Sequence, residues 1–153
     1  MKGFEPVYDK NSEILILGSF PSVISREVGF YYGNRRNRFW SLLGKIFREE
    51  IGEDVDSKKA FLLKHGIALW DIAESCDVKG SSDSEIKNVS VADLDIILNV
   101  ADIGLIICNG KKSYEIFSKN YDLPIKSVCL PSTSPANVSF DESKWFDALG
   151  ALI

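Results

Sequence analysis

Four short apolar runs constrain this chain most: EILILGS (13–19), IALWDI (67–72), GLIICNG (104–110) and IKSVCLPS (125–132). The first and third are too short for a helix and read as buried strands, and the second and fourth read as further strands. The segments between them follow a different period. Phe39, Trp40, Leu42, Leu43, Ile46 and Phe47 recur at helical spacing, and Gly52 is the expected stop. SKKAFLLKHG predicts a second helix with Ser57 as N-cap and Gly66 beyond its end. VADLDIILNV (91–100), KKSYEIFSKN (111–120) and DESKWFDALGALI (141–153), the last capped by Asp141, complete the helical set. Strands spaced by helices of this length predict an α/β protein with a mostly parallel sheet and helices on both faces.

A chain of 153 residues fits one domain spanning 1–153 and can bury a core without staples. The start, MKGFEPVYDKNSE, lacks the apolar core of a signal peptide, and no apolar run approaches the ~20 residues of a membrane helix, so the expected location is cytoplasmic, without a membrane partner. Cys76, Cys108 and Cys129 form no CxxC pair, which suits a reducing compartment and offers no zinc or iron–sulfur ligand set. Cys108 and Cys129 lie in apolar runs and are expected to be packed thiols. The single histidine, His65, sits at an expected helix end, where a terminal cation or cap is the ordinary role.

Net charge −4 argues against a general nucleic-acid coat, because such binding rests on phosphate neutralisation. The charges are nevertheless uneven. Arg26, Arg35, Arg36, Arg38, Lys45 and Arg48 face only Glu27 between residues 26 and 48, whereas acids crowd 49–56 and 83–95. One basic face on an acidic molecule and a merely solvated helix start are both open on charge alone.

In parallel α/β sheets ligands bind beyond the carboxyl ends of the strands. That rule singles out GSFPS (18–22), LWDI with the polar segment 76–88 read as a long loop, CNGKK (108–112) and LPSTSPAN (130–137), which should converge on one rim. Gly18 lets backbone approach a ligand and Pro21 stiffens the turn. Gly110 repeats the device before a lysine-bearing helix start, either a plain turn or a phosphate seat. Pro131 and Pro135 bracket Ser132, Thr133 and Ser134, which stiffens a loop able to grip a backbone phosphate or wedge a nucleotide. No Ser/His/Asp order, GxSxG elbow or HExxH helix is present. For Asp71 and Asp83 the ordinary role is to cap or brace loops, and service to the site stays open. If the chain is an enzyme, its catalyst is then a weak acid–base or an amide, and two amides, Asn34 and Asn37, stand in the segment YYGNRRNRFW (31–40). An asparagine can hold a water in line or donate to developing charge.

Taken in order and spacing, GSFPS, YYGNRRNRFW, LWDI, CNGKK and LPSTSPAN resemble the uracil-DNA glycosylase superfamily over nearly the whole chain, with the closest match in its hypoxanthine-DNA glycosylase branch. The resemblance implies a three-layer α/β/α fold with a four-stranded, mostly parallel sheet. It also implies hydrolysis of the N-glycosidic bond of a deaminated base flipped out of DNA, without metal or cofactor, by a monomer. In mismatch-specific relatives the catalytic asparagine takes the third place of the GSFPS-like motif, which is Phe20 here. In the hypoxanthine branch the catalytic amide corresponds to Asn37. Tyr32 then stacks on the base, Gly18, Ser19, Phe20, Pro21 and Asn109 line its pocket, and Arg35, Arg36 and Ser132, Thr133, Ser134, Pro135 meet the DNA. Asn34 and Arg35 stand where many relatives have histidine and proline. The residues fit this independently: unstacking a base requires an aromatic platform and a wedge, for which Phe20, Tyr31, Tyr32 and the proline-stiffened loop are the candidates.

Overall fold

The computed structural model describes residues 3–21, 23–77 and 87–150. Four strands, β1 (Ile14–Gly18), β2 (Ile67–Asp71), β5 (Leu105–Asn109) and β6 (Lys126–Leu130), form a sheet of order β2-β1-β5-β6, every pair parallel. These are the four apolar runs. All five residues of β1 and of β2 are buried, and since successive side chains point to opposite faces, both faces of the sheet are covered. The covering helices include α2 (Phe39–Phe47), α3 (Val55–Lys64), α5 (Lys111–Asn120) and α6 (Ser143–Gly150). Helix α3 packs on β2, α5 on β5 and β6, and α2 on α6, where the rings of Phe39 and Trp145 meet edge to face at 6.3 Å.

Four local expectations need correction. The segment 76–88 is not a loop along its whole length: β3 (Ala73–Asp77) and β4 (Lys87–Val91) pair antiparallel as a separate two-stranded sheet, while Asp83 lies outside the described residues. Polar residues dominate AESCD and KNVSV, so no apolar run marks these strands. The expected helix over 91–100 shrinks to α4 (Asp95–Leu98), because Val91 finishes β4 and the Tyr121 hydroxyl donates to the carbonyl of Ala92 and accepts from the amide of Leu94. The stretch after GSFPS holds a short helix, α1 (Val23–Val28). Helix α2 stops at Phe47 and not near Gly52, with Arg48 taking the left-handed φ of 53° usual for glycine and Glu49 N–H returning to the carbonyl of Gly44.

Capping follows the chemistry expected, with one shift of residue. Asp54 rather than Ser57 caps α3: its carboxylate accepts the Ser57 amide at 2.9 Å and the Ser57 hydroxyl at 2.7 Å, and these bonds lower its pKa. Asp141 accepts from Ser143 N–H at 3.1 Å ahead of α6. His65 ends α3 with its ring between Phe47 and Phe61 and its Nε2 2.9 Å from Glu49, a structural role. Cys108 is buried as expected, but Cys129 is exposed, since its strand β6 lies at the sheet edge. Among the described residues no helix is long and apolar enough to cross a membrane.

Candidate active site

The carboxyl ends of β1, β2, β5 and β6 open into one cleft, lined in part by Gly18, Asp71, Asn109 and Ser132. It encloses about 80 Å³ and is walled mostly by polar groups. One water needs roughly 10–15 Å³ by the same measure, so the cleft has room for reacting groups.

Its floor is built by the absence of a side chain. Gly18 and Asp71 are partners in the β1–β2 register. A Cβ on Gly18 would lie 2.3 Å from Asp71 Oδ1 and 2.7 Å from the Tyr32 hydroxyl, so only glycine leaves both groups in place. Asp71 is 4% exposed. Burial, and next the charge of Asp71, raise the pKa of the neighbouring Tyr31 phenol far above its ordinary value, so that it stays a donor to the Glu5 carbonyl at 2.7 Å.

Tyr32 stands on one wall with φ 53°, a left-handed conformation that a bulky residue adopts at a cost of about 1–3 kcal/mol. Its neighbours hold it there. Trp40 Nε1 donates to the Tyr31 carbonyl at 2.9 Å, Gly33 N–H donates to Ser25 Oγ at 2.9 Å, and Phe39 stacks on the Tyr32 ring at 4.2 Å between centroids. Tyr31 itself is a core residue, 2% exposed.

Asn37 lines the same cleft just ahead of α2. Its backbone amide donates to the Asn34 carbonyl at 2.9 Å, and its Oδ1 accepts the Phe39 amide at 2.9 Å. A backbone N–H can only donate, so the side-chain atom facing it is the oxygen. The NH2 end of Asn37 is thereby the end left to act as donor.

The segment from Pro131 to Asn137 closes the opposite wall. Asn109 Oδ1 accepts from Thr133 N–H and Asn109 Nδ2 donates to Thr133 Oγ1, both at 3.0 Å and fully buried. Arg38 joins this loop to the Asn37 segment: its amide donates to the Thr133 carbonyl and its Nη1 to the Ser134 carbonyl, each at 3.0 Å, while its guanidinium lies 4.9 Å over Phe140. Ser132 Oγ accepts from Ser134 N–H, Ser134 Oγ from Ala136 N–H, and Asn137 donates to the Ser132 carbonyl. The loop is therefore set before any ligand arrives.

Of the residues singled out in the sequence, Gly18, Ser19, Phe20, Pro21, Tyr32, Asn37, Asn109, Ser132, Thr133 and Ser134 all line the cleft. Arg35 and Arg36 are exposed on the adjoining turn, and Pro135 is half-buried beside Ser134. Two roles do not fit. Thr133 is fully buried, so its hydroxyl fastens the loop and cannot reach a DNA backbone. Phe20 is 8% exposed and packs on Ala73 and Val89 with Arg26 over its ring at 5.8 Å, which makes it part of the hairpin's core and not an aromatic platform. Two contributors escaped the sequence reading: Asp71, whose signal was a carboxylate closing an apolar strand at the binding rim, and Arg38, which looked like one arginine among several.

The family model for the uracil DNA glycosylase superfamily matches residues 5–150. The chain belongs to the uracil DNA glycosylase superfamily. It is 38% identical over 149 residues to a hypoxanthine DNA glycosylase of Methanosarcina acetivorans, with 94% of each chain covered. A hypoxanthine DNA glycosylase of Methanosarcina barkeri is 36% identical over 156 residues, with 96% of each covered. The solution NMR structure of a candidate uracil DNA glycosylase from Methanosarcina acetivorans superposes with a TM-score of 0.86 at 35% identity, covering 99% of this chain and 97% of the other. Within this glycosylase superfamily chain, the two motif regions that carried the resemblance, GSFPS with YYGNRRNRFW and LPSTSPAN, are the two walls joined by Arg38.

Proposed function

We propose that this chain hydrolyses the N-glycosidic bond of a deaminated base in DNA, hypoxanthine first and then xanthine or uracil, in base excision repair, acting as a monomer without metal or cofactor. The observation that carries this is the shared cleft of three groups: a Tyr32 ring backed by Phe39, the donor end of a locked Asn37 amide, and the buried Asp71 carboxylate.

A base swung out of the duplex stacks on the Tyr32 face opposite Phe39, which offsets part of the unstacking cost. Deamination turns N1 of adenine, or N3 of cytosine, from an acceptor into an N–H donor. A carboxylate only accepts, so Asp71 favours hypoxanthine over adenine and uracil over cytosine. As the bond from the sugar carbon to the base nitrogen breaks, its electron pair goes to the base and positive charge builds on the sugar. The NH2 of Asn37 donates to that developing negative charge, a contribution of roughly 10²–10³ in rate for one well-placed donor. Water adds to the sugar carbon and its proton leaves to the departing base. Ser132, Ser134, Arg35 and Arg36 hold the flanking backbone.

The test is single-turnover base release from duplexes carrying deoxyinosine, deoxyxanthosine or deoxyuridine, with adenine as control. Asn37→Ala should lose about 10²-fold or more, and Asp71→Asn should lose preference for deaminated bases over adenine. No release from any of the three damaged duplexes refutes the proposal. Phe20, a packed hydrophobe where mismatch-specific relatives carry asparagine, favours a second reading: a damaged-base binding module without chemistry. Tight deoxyinosine-duplex binding with no turnover selects it.

A further inference from the structure

A second groove opens beside the cleft and shares its Ser132 wall. It encloses about 830 Å³ between the start of α5, β6 and the start of α6, with Lys111, Lys112 and Lys144 along it and Glu115 as the only carboxylate among its lining residues. Lys111 and Lys144 are exposed and Lys112 is half-buried. Among the described residues none of the three forms an ion pair. In a chain of net charge −4, three lysines along one channel, with Glu115 in its lining and Asp141 in electrostatic contact with Lys144, leave a local excess of positive charge. The groove that leaves the cleft on the other side, past Tyr32 and Asn37, has the opposite balance: Glu49, Glu50 and Glu53 against Arg35 and Lys58.

A nucleotide seated in the cleft stays bonded to both neighbours, so its strand must cross the rim. Ser132 marks where the rim opens into the lysine channel. We propose that this channel carries the sugar–phosphate backbone of the DNA strand flanking the target nucleotide, Lys111, Lys112 and Lys144 each neutralising a phosphate. The proposal rests on the glycosylase reading for the placement of DNA at the cleft.

Each lysine–phosphate contact steepens the dependence of log K on log salt by about 0.9. The triple variant Lys111→Gln, Lys112→Gln, Lys144→Gln should therefore flatten the slope for a duplex by roughly 2–3, so that between about 50 and 200 mM salt it loses some 40-fold less affinity than wild type. A matched triple variant, Lys10→Gln, Lys119→Gln, Lys126→Gln, removes the same charge around the amino ends of the strands and should leave the slope near wild type. Undamaged duplex serves for this measurement, so the result stands whether or not base release is seen. Equal slopes for the two triple variants overturn the proposal. A second readout uses Cys129, exposed in the groove: saturating duplex should slow its alkylation several-fold, read on its own peptide. Buried Cys108, its thiol pushed up to about 12 by burial, stays silent. An alkylation rate unchanged by duplex also overturns the proposal.

Discussion

Gly18→Ala adds one methyl group to the floor of the cleft, and its consequence can be worked from two distances. The new carbon would lie 2.3 Å from Asp71 Oδ1 and 2.7 Å from the Tyr32 hydroxyl. Both are inside contact distance, so the carboxylate must retreat by about 1 Å to reach the roughly 3.5 Å of an ordinary nonbonded contact. Asp71 sits on a strand with both faces covered and Tyr32 is held by Phe39, so neither retreats freely. Overpacking of this kind costs about 1–3 kcal/mol, a fall in Tm of roughly 2–12 °C for a chain of this size. A misplacement of about 1 Å at reacting groups costs on the order of 10²-fold in rate. The assay is therefore double: thermal melting, and single-turnover release of hypoxanthine from a deoxyinosine duplex. Gly104→Ala is the control, since its nearest neighbour to an added carbon is the Glu13 carbonyl at 4.0 Å, and it should leave both readouts near wild type. If Gly18→Ala releases base within about threefold of wild type while folding normally, the placement of Asp71 and Tyr32 is not what the reaction uses.

Asn109→Ala strips both buried bonds from Thr133 and should cost about 2–5 kcal/mol, measured by denaturant melting, whereas Asn109→Asp should recover part of this because the threonine hydroxyl can turn to donate. On the proposed stacking role of the Tyr32 ring face, Tyr32→Phe should bind a deoxyinosine duplex nearly as tightly as wild type, and Tyr32→Ala should lose about 1–3 kcal/mol of binding in a titration. Hydrogen bonds from Lys64 and then His65 keep the half-buried Glu49 carboxyl below its ordinary value of 4.5. A lowered folded pKa contributes stability that is full above the unfolded value and lost as pH falls through the folded one. Glu49→Gln should therefore lower Tm at neutral pH, and the gap from wild type should close as pH drops below about 4.5.

The hydrophobic pattern specified β1, β2 and β5 because a strand buried on both faces carries few polar residues, whereas the edge strand β6, with Lys126 and Cys129 exposed, keeps only part of that pattern. The hairpin β3–β4 was illegible for the converse reason: its residues are polar, and it exists by pairing with a segment across an intervening stretch. Cleft residues on strand ends and stiff turns, among them Gly18, Asn37, Asn109 and Ser132, were readable as types suited to a ligand. Whether a given side chain serves the ligand or the scaffold was not. Thr133 and Ser132 stand side by side, yet one is sealed against Asn109 and the other faces both grooves. Phe20 and Tyr32 are both aromatics beside glycines, and only packing against Ala73 and Val89 commits the first to the interior.

By itself, then, the order of residues determined the strands, most of the helices, the rim where the motif loops meet and the amide proposed to act there, since these follow from period, turn stereochemistry and side-chain type. Only the tertiary structure decided that Asp71 lies at the floor, that Arg38 ties the two walls together, that Asn37 presents its donor end, and that the lysines of α5 and α6 flank one channel. Those are relations between residues distant in sequence, fixed by how helices and loops pack on the sheet, and no local pattern encodes a distance across it.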